Sequence, residues 1–303
     1  MGATLNLNAP PRHSIDINVL IRSDHNGARA ITISSKMILY TQRLFTRLLA
    51  TSRINVVCDV GSMNGADALN FRDAVPEASI YAFEPNPANL RLMRANRALQ
   101  ERNIQVVPLA ATNRDGEAMF YLLDADYYSQ NDCRRGMSSL YKREGDWAST
   151  DAVRVKTTRL DTFLADKCAP DARLALWIDT EGKAFDVIEG MAGMAGRVLL
   201  LHVEVETAAC IGTDQRLYSD VKASLERLGF AELATDQSPR CTQFNALFLR
   251  SDLVMQFQTK ASLVHARLRY LLVQAIAKVC PACLRRYRAI LRSRRQISLP
   301  AKA

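Results

Sequence analysis

The sequence has no apolar run that approaches the roughly 18 to 20 residues needed to cross a bilayer, and Met1 to Pro11 lacks a charged-then-apolar signal pattern. It also has no internal repeat and no low-complexity run. The seven cysteines (Cys58, Cys133, Cys168, Cys210, Cys241, Cys280 and Cys283) are odd in number and scattered. Such usage suits a reducing compartment and no disulfide framework, so a cytoplasmic protein is expected. Acidic residues are missing altogether from Lys260 to Ala303, which carries eleven Lys or Arg. Without those eleven, the net charge of +9 becomes −2, so the basic character belongs to a tail and the body is nearly neutral.

What remains is a chain of 303 residues, 48% hydrophobic, able to bury a full core. Its organising stretch is Ile54 to Gly65, INVVCDVGSMNG. An apolar run of strand length meets an acid, Asp59, and breaks into two glycines four apart, Gly61 and Gly65, with Ser62 between them. A helical pattern follows. Glycine there lets a nucleotide-sized ligand approach the backbone, and a helix start offers unpaired N–H groups. The next strand, Ile80 to Phe83, delivers Glu84 and Pro85 at its carboxyl end, where an acid can accept both hydroxyls of a ribose. The competing reading of Glu84 is a surface acid before a proline.

Strand and helix then alternate: helix Ala66 to Ala74, strand Ser79 to Phe83, helix Pro87 to Gln100, strand Ile104 to Leu109. Alternation of this kind implies a parallel sheet with right-handed crossovers and ligands beyond the strands' carboxyl ends. Ala110 and Ala111 fall on that edge, as framing for an adenine or as plain small-residue packing. The segment from Asp124 to Thr150 has no steady period but three tyrosines and a tryptophan, as a substrate-facing lid would. Strand Ala152 to Thr157 should return the chain to the sheet. Strand Ala172 to Ile178 ends in Asp179-Thr180-Glu181-Gly182, and strand Val198 to Val205 carries His202, Glu204 and Glu206 on one face. Later helices and strands finish the domain. The division is residues 1–53 as an extension with a covering helix from Met37 to Leu49, 54–254 as the domain, and 255–303 as the basic tail.

In order, DVGSMNG, AFEPNPANLRLMRAN, VPLAATNRDGEAMF, MSSL, TTRLDTF, WIDTEGKAFDVIEG and HVEVE resemble the successive blocks of the FkbM-type methyltransferases. The resemblance implies a Rossmann-like seven-stranded α/β sheet, mostly parallel with its last strand antiparallel, and helices on both faces. It implies S-adenosyl-L-methionine as cofactor and transfer of a methyl group, usually to a hydroxyl of a sugar or polyketide. Where the family has a small residue, Asn and an apolar residue between the glycines, this chain has Ser62-Met63-Asn64.

Methyl transfer from a sulfonium is an in-line displacement that needs near-attack geometry, and a hydroxyl acceptor must also lose a proton. Candidates for the base are Asp179, Glu181 and His202. For the two carboxylates the alternative is helix capping. For His202 the alternatives are a metal site with Glu204 and Glu206, or a hydrogen-bonded buried histidine. Asp59, Gly61, Ser62, Gly65, Glu84, Pro85, Ala110 and Ala111 are the cofactor-binding candidates. Ser139, from the MSSL block, and Glu204 are the substrate-side candidates, and no metal is assigned.

The tail carries apolar residues at helical spacing from Ser262 to Val279, with Arg267, Gln274 and Lys278 opposite them. An anionic membrane surface met through residues 260–295, nucleic acid as the less favoured partner, and simple packing are the readings open to it. A dinucleotide-dependent oxidoreductase and a non-catalytic scaffold compete with the methyltransferase. The first is disfavoured by Met63 standing where the tighter dinucleotide fingerprint has its middle glycine.

Overall fold

A computed structural model describes residues 21–23, 29–31, 38–123, 136–143, 151–237 and 241–258. The basic tail, the Cys280 to Cys283 pair and most of the expected lid lie outside these. Near the N-terminus, β1 (Ile21–Ser23) pairs antiparallel with β2 (Arg29–Ile31). The domain follows as α1 (Ile38–Thr51), β3 (Val56–Val60), α2 (Ala66–Ala74), β4 (Ser79–Phe83), α3 (Pro87–Ala95), α4 (Arg97–Glu101), β5 (Ile104–Val107), β6 (Ala110–Ala111) and β7 (Gly116–Leu122). Then come β8 (Asp151–Thr158), α5 (Leu160–Leu164), β9 (Leu174–Ile178), α6 (Ala184–Gly190), β10 (Val198–Glu206), α7 (Tyr218–Arg227), β11 (Phe230–Thr235), β12 (Gln243–Arg250) and α8 (Ser251–Gln258).

The main sheet has seven strands in the order β11-β12-β10-β9-β3-β4-β5. Among these, β12 runs antiparallel to both β10 and β11, while the pairs from β10 across to β5 are parallel. Strands β3 and β9, buried at every position, read as continuous apolar runs because helices cover both faces. On one face Val56, Cys58 and Val60 meet α5, α6 and α7 through Leu160, Val187, Ile188, Val221 and Leu225. On the other, Val57 meets α1 and α2 through Phe45, Leu49 and Phe71. Phe45, Phe71 and Trp177 stand 5.3 to 5.5 Å apart by ring centroid. Such pairs add about 1 kcal/mol each beyond their burial.

Three expectations are corrected. First, β8 does not rejoin the main sheet: with β6 and β7 it forms a separate three-stranded sheet. Second, the single helix expected from Pro87 to Gln100 breaks at Asn96, whose side chain accepts from the Ala98 N–H and caps a new helix. Third, the covering helix expected from Met37 to Leu49 over one end of the sheet is α1, and it lies against α2, β10 and β12 on the sheet's face. Among the described residues, no helix is long and apolar enough to cross a membrane.

Candidate functional site

The chain runs β3 to β4 to β5 in one direction and then places β9 on the other side of β3. The crevice of a doubly wound sheet opens where that order reverses, outside the carboxyl ends of β3 and β9. A cleft lies there. Its walls include Gly61, Glu84, Pro85, Ala110, Ala111, Asp179 and Glu181 from the sequence candidates. Asn89, Phe120, Thr180 and Lys183 join them.

The glycine turn is held from several sides. The N–H groups of Gly61 and Ser62 both donate to the Phe83 carbonyl, at 3.0 and 2.9 Å. Ser62 Oγ donates to Asp59 Oδ2 at 2.5 Å, and burial pushes Asp59 up to about 8 while that bond pulls the other way. Asp59 and Ser62 therefore brace the turn from beneath. Asn64 Oδ1 accepts from the Ala66 N–H at 2.9 Å and caps the start of α2. Gly61 and Gly65 have φ of +87° and +80°. A Cβ on Gly61 would sit 1.7 Å from the Asp179 carbonyl oxygen, and one on Gly65 would meet Leu99 at 2.7 Å. Strand and helix packing alone therefore requires glycine at both positions.

Glu84 is buried, and its two oxygens accept from the Met63 N–H at 2.8 Å and the Asn86 N–H at 2.7 Å. It thus ties the glycine turn to the start of α3 while facing the cleft. Burial raises it to about 7, against the pull of those bonds and of Asn89.

The wall formed beyond β9 and β10 is acidic. Oxygens of Asp179, Glu181 and Glu204 lie within 4.8 Å of one another. Burial raises both Asp179 and Glu204, and the hydrogen bond between their carboxyls offsets this at Asp179 and adds to it at Glu204. Burial and the Asp179 charge push Glu181 up to about 8, and Arg143, 2.5 Å away, opposes them.

Two candidates are placed elsewhere. His202 is buried under α1, with its ring stacked on Trp177 at 3.6 Å. Thr41 Oγ1 donates to Asp236, so His202 Nε2 donates to Thr41 at 3.1 Å. This is the hydrogen-bonded buried histidine, and desolvation pushes it down to about 3. A histidine depressed below its unfolded value of 6.5 withholds stability as pH falls from about 6.5 toward 3, because only the unfolded chain takes the proton. The stability of the wild-type protein relative to His202→Phe should therefore fall by about 2 kcal/mol between pH 7 and 5 in urea melts. A difference that does not move with pH would refute this environment for the ring.

Ser139 is the second. Its hydroxyl donates to the Glu181 carbonyl at 2.7 Å and accepts from the Tyr141 N–H at 3.0 Å, so it braces the segment while its neighbour Ser138 lines the cleft. Arg143 went unread because it sits in an aperiodic stretch, far in sequence from the acids it meets. Phe120 and Lys183 had no spacing signal of their own.

The doubly wound sheet, with its antiparallel strand inserted before the edge and its glycine turn facing a strand-end acid, is a Rossmann-like fold. The chain belongs to the methyltransferase FkbM domain family, which matches residues 59–231. A similar curated protein is the 2-O-methyltransferase NoeI of Sinorhizobium fredii (strain NBRC 101917 / NGR234), 26% identical over 205 residues that are 65% of this chain and 80% of that protein. Solved structures with a distant likeness include the N-terminal domain of EvdMO1 with SAH bound, at 12% identity over 72% of this chain and 82% of that one, with a TM-score of 0.39. Another is the magnesium protoporphyrin IX methyltransferase (ChlM) of Synechocystis PCC 6803 with bound SAM, at 12% identity over 74% and 87%, with a TM-score of 0.37.

Proposed function

We propose that the protein is an S-adenosylmethionine-dependent O-methyltransferase whose acceptor is a hydroxyl on a sugar or related natural product. The observation that carries this reading is a single cleft whose walls gather the Gly61 turn, Glu84 and the Asp179 and Glu181 carboxylates. Its residues fit the cofactor. Glu84 offers a buried carboxylate to ribose hydroxyls, with Pro85 beside it, and Ala110, Ala111 and Phe120 offer a small apolar frame to a base. The Thr180 hydroxyl, buried on the cleft wall without a partner among the described residues, waits for a polar group. Gly61, Ser62 and Gly65, with Asp59 below, shape the turn that would meet the methionine end.

The cofactor, when bound, supplies an electrophilic methyl group on a sulfonium. The protein's own part is to aim an acceptor hydroxyl along that axis and take its proton. Glu181 is the base in this reading: the carboxylate oxygen not held by Arg143 receives the proton as the acceptor oxygen bonds to carbon. A carboxylate raised toward neutrality is a stronger base than an ordinary one. Asp179, hydrogen-bonded to the Glu204 carboxyl, accepts a hydrogen bond from a neighbouring hydroxyl of the acceptor, and Glu204 acts through it. The 2-O-methyltransferase relative supports an oxygen acceptor.

S-adenosylhomocysteine at a hundred times its Kd should stabilise the protein by about 2.7 kcal/mol, a rise in Tm of about 5 to 10 °C, and NADH should give none. Labelled methyl from the donor should enter a cell-surface carbohydrate fraction. Absence of both effects would end the proposal.

A further inference from the structure

The acidic wall of the cleft is closed by residues 136–143. Ser139 pairs with Tyr121 in both directions, its N–H donating at 3.1 Å and its carbonyl accepting at 2.8 Å, which fixes the segment to β7. Tyr141 Oη donates to the Asp214 carbonyl at 3.1 Å, fixing it to the approach to α7. The buried guanidinium of Arg143 is tied to its own segment, Nε donating to the Met137 carbonyl at 3.0 Å, and Nη2 reaches Glu181 Oε2 at 2.5 Å. The same segment also takes hold of the Glu181 main chain, through the Ser139 hydroxyl. Glu181 needs that grip, because its φ is +49°, in a region that side-chain-bearing residues enter at a cost.

Charge accounting makes Arg143 more than a strut. Glu181 is faced by Asp179 at the end of β9, by Glu204 and Glu206 from β10, and by Arg143. Lys183, the nearby cation on the cleft wall, is paired with Asp186 at 2.9 Å and lies over the Tyr141 ring. Four carboxylates thus converge with one guanidinium set directly on the one assigned as base. A buried carboxylate beside other acids keeps its charge only with such a partner.

We propose that Arg143 is a positioning residue for proton removal, favouring the ionised form of Glu181 and aiming it into the cleft. This rests on Glu181 being the base. The planar fork of arginine can hold the Met137 carbonyl and the carboxylate at once, which lysine does not match.

The test follows Glu181 directly, by carbon NMR of protein labelled with carboxyl-13C glutamate and bound to S-adenosylhomocysteine, the signal assigned by its loss in Glu181→Gln. In Arg143→Met the Glu181 midpoint should rise by at least one pH unit, and in Arg143→Lys by less. Methyl transfer to the carbohydrate fraction at pH 7 should fall about tenfold in kcat, with the rising limb of its pH profile displaced upward by the same amount. KM for the donor should stay within twofold. Uptake of S-adenosylhomocysteine by calorimetry shows that each variant is folded, and the lysine variant provides a milder change should the methionine one fail to fold. A Glu181 midpoint unmoved in Arg143→Met overturns the proposal. A displaced midpoint with an unmoved rate profile overturns the assignment of Glu181 as base and, with it, this role.

Discussion

Gly61→Ala is expected to cost on the order of 4 kcal/mol of stability, a fall in Tm of about 10 °C, and to abolish uptake of S-adenosylhomocysteine. Two penalties combine. The φ of +87° disfavours any side chain by about 1 to 2 kcal/mol. The added Cβ would lie 1.7 Å from the Asp179 carbonyl oxygen and 2.8 Å from its carbon, so β3 and β9 must part at the point where the cleft opens. Backbone cannot swing aside as a side chain can, and overpacking of this kind costs roughly 1 to 3 kcal/mol or more. Gly65→Ala is the contrast. Its φ is similar, but the atoms in the way belong to the Leu99 side chain, which can change rotamer. A loss of about 1 to 2 kcal/mol with binding retained is expected there. Thermal melts and calorimetry on the two variants check both, and equal losses would refute the strand-contact argument.

Glu84→Gln should weaken S-adenosylhomocysteine about 100-fold, since two hydrogen bonds from a ribose to a charged acceptor are each worth roughly 1.5 to 3 kcal/mol and only part survives in the amide. The pH dependence gives a sharper test. Burial raises the Glu84 carboxyl to about 7, and hydroxyl donors favour its ionised form. Affinity in the wild-type protein should therefore fall as pH drops below 7, toward tenfold per unit, while Glu84→Gln should lose this dependence. The sign for folding is opposite. An acid raised above its unfolded value costs the native state stability as pH rises from about 4.5 to 7, so the variant should gain relative stability over that window. Titration calorimetry at pH 5.5, 6.5 and 7.5 reads the first effect, and urea melts at the same values read the second.

Much of this arrangement was legible from residues alone because its signals are local. The apolar run before Asp59, the paired glycines and the acid closing the next strand each mark their own position, and all three lie where the order of strands reverses. What stayed hidden depends on distant partners. The alternation in Ala152 to Thr157 suits a strand of any sheet, and nothing in it says that its partners are β6 and β7. Asn96 interrupts a helix without a proline or glycine to announce the break. The period of two in β10 puts His202 and Glu204 on one face, but only the descent of α1 onto that face separates a core imidazole from an acid at the edge. Arg143 meets Glu181 across 38 positions of sequence, a link no periodicity carries.

The reversal of β12 settles where the end of the domain is attached. Because this strand travels against its neighbours, it finishes with Arg250 opposite Phe230, at the start of β11, and Ser251 donates to the carbonyl of Gly229 at 2.9 Å. The exit is therefore on the rim remote from Gly61, Glu84 and Glu181. A seventh strand running with the rest would instead have delivered α8 to the rim where the cleft opens. One inverted strand thus separates the end of α8 from the cleft.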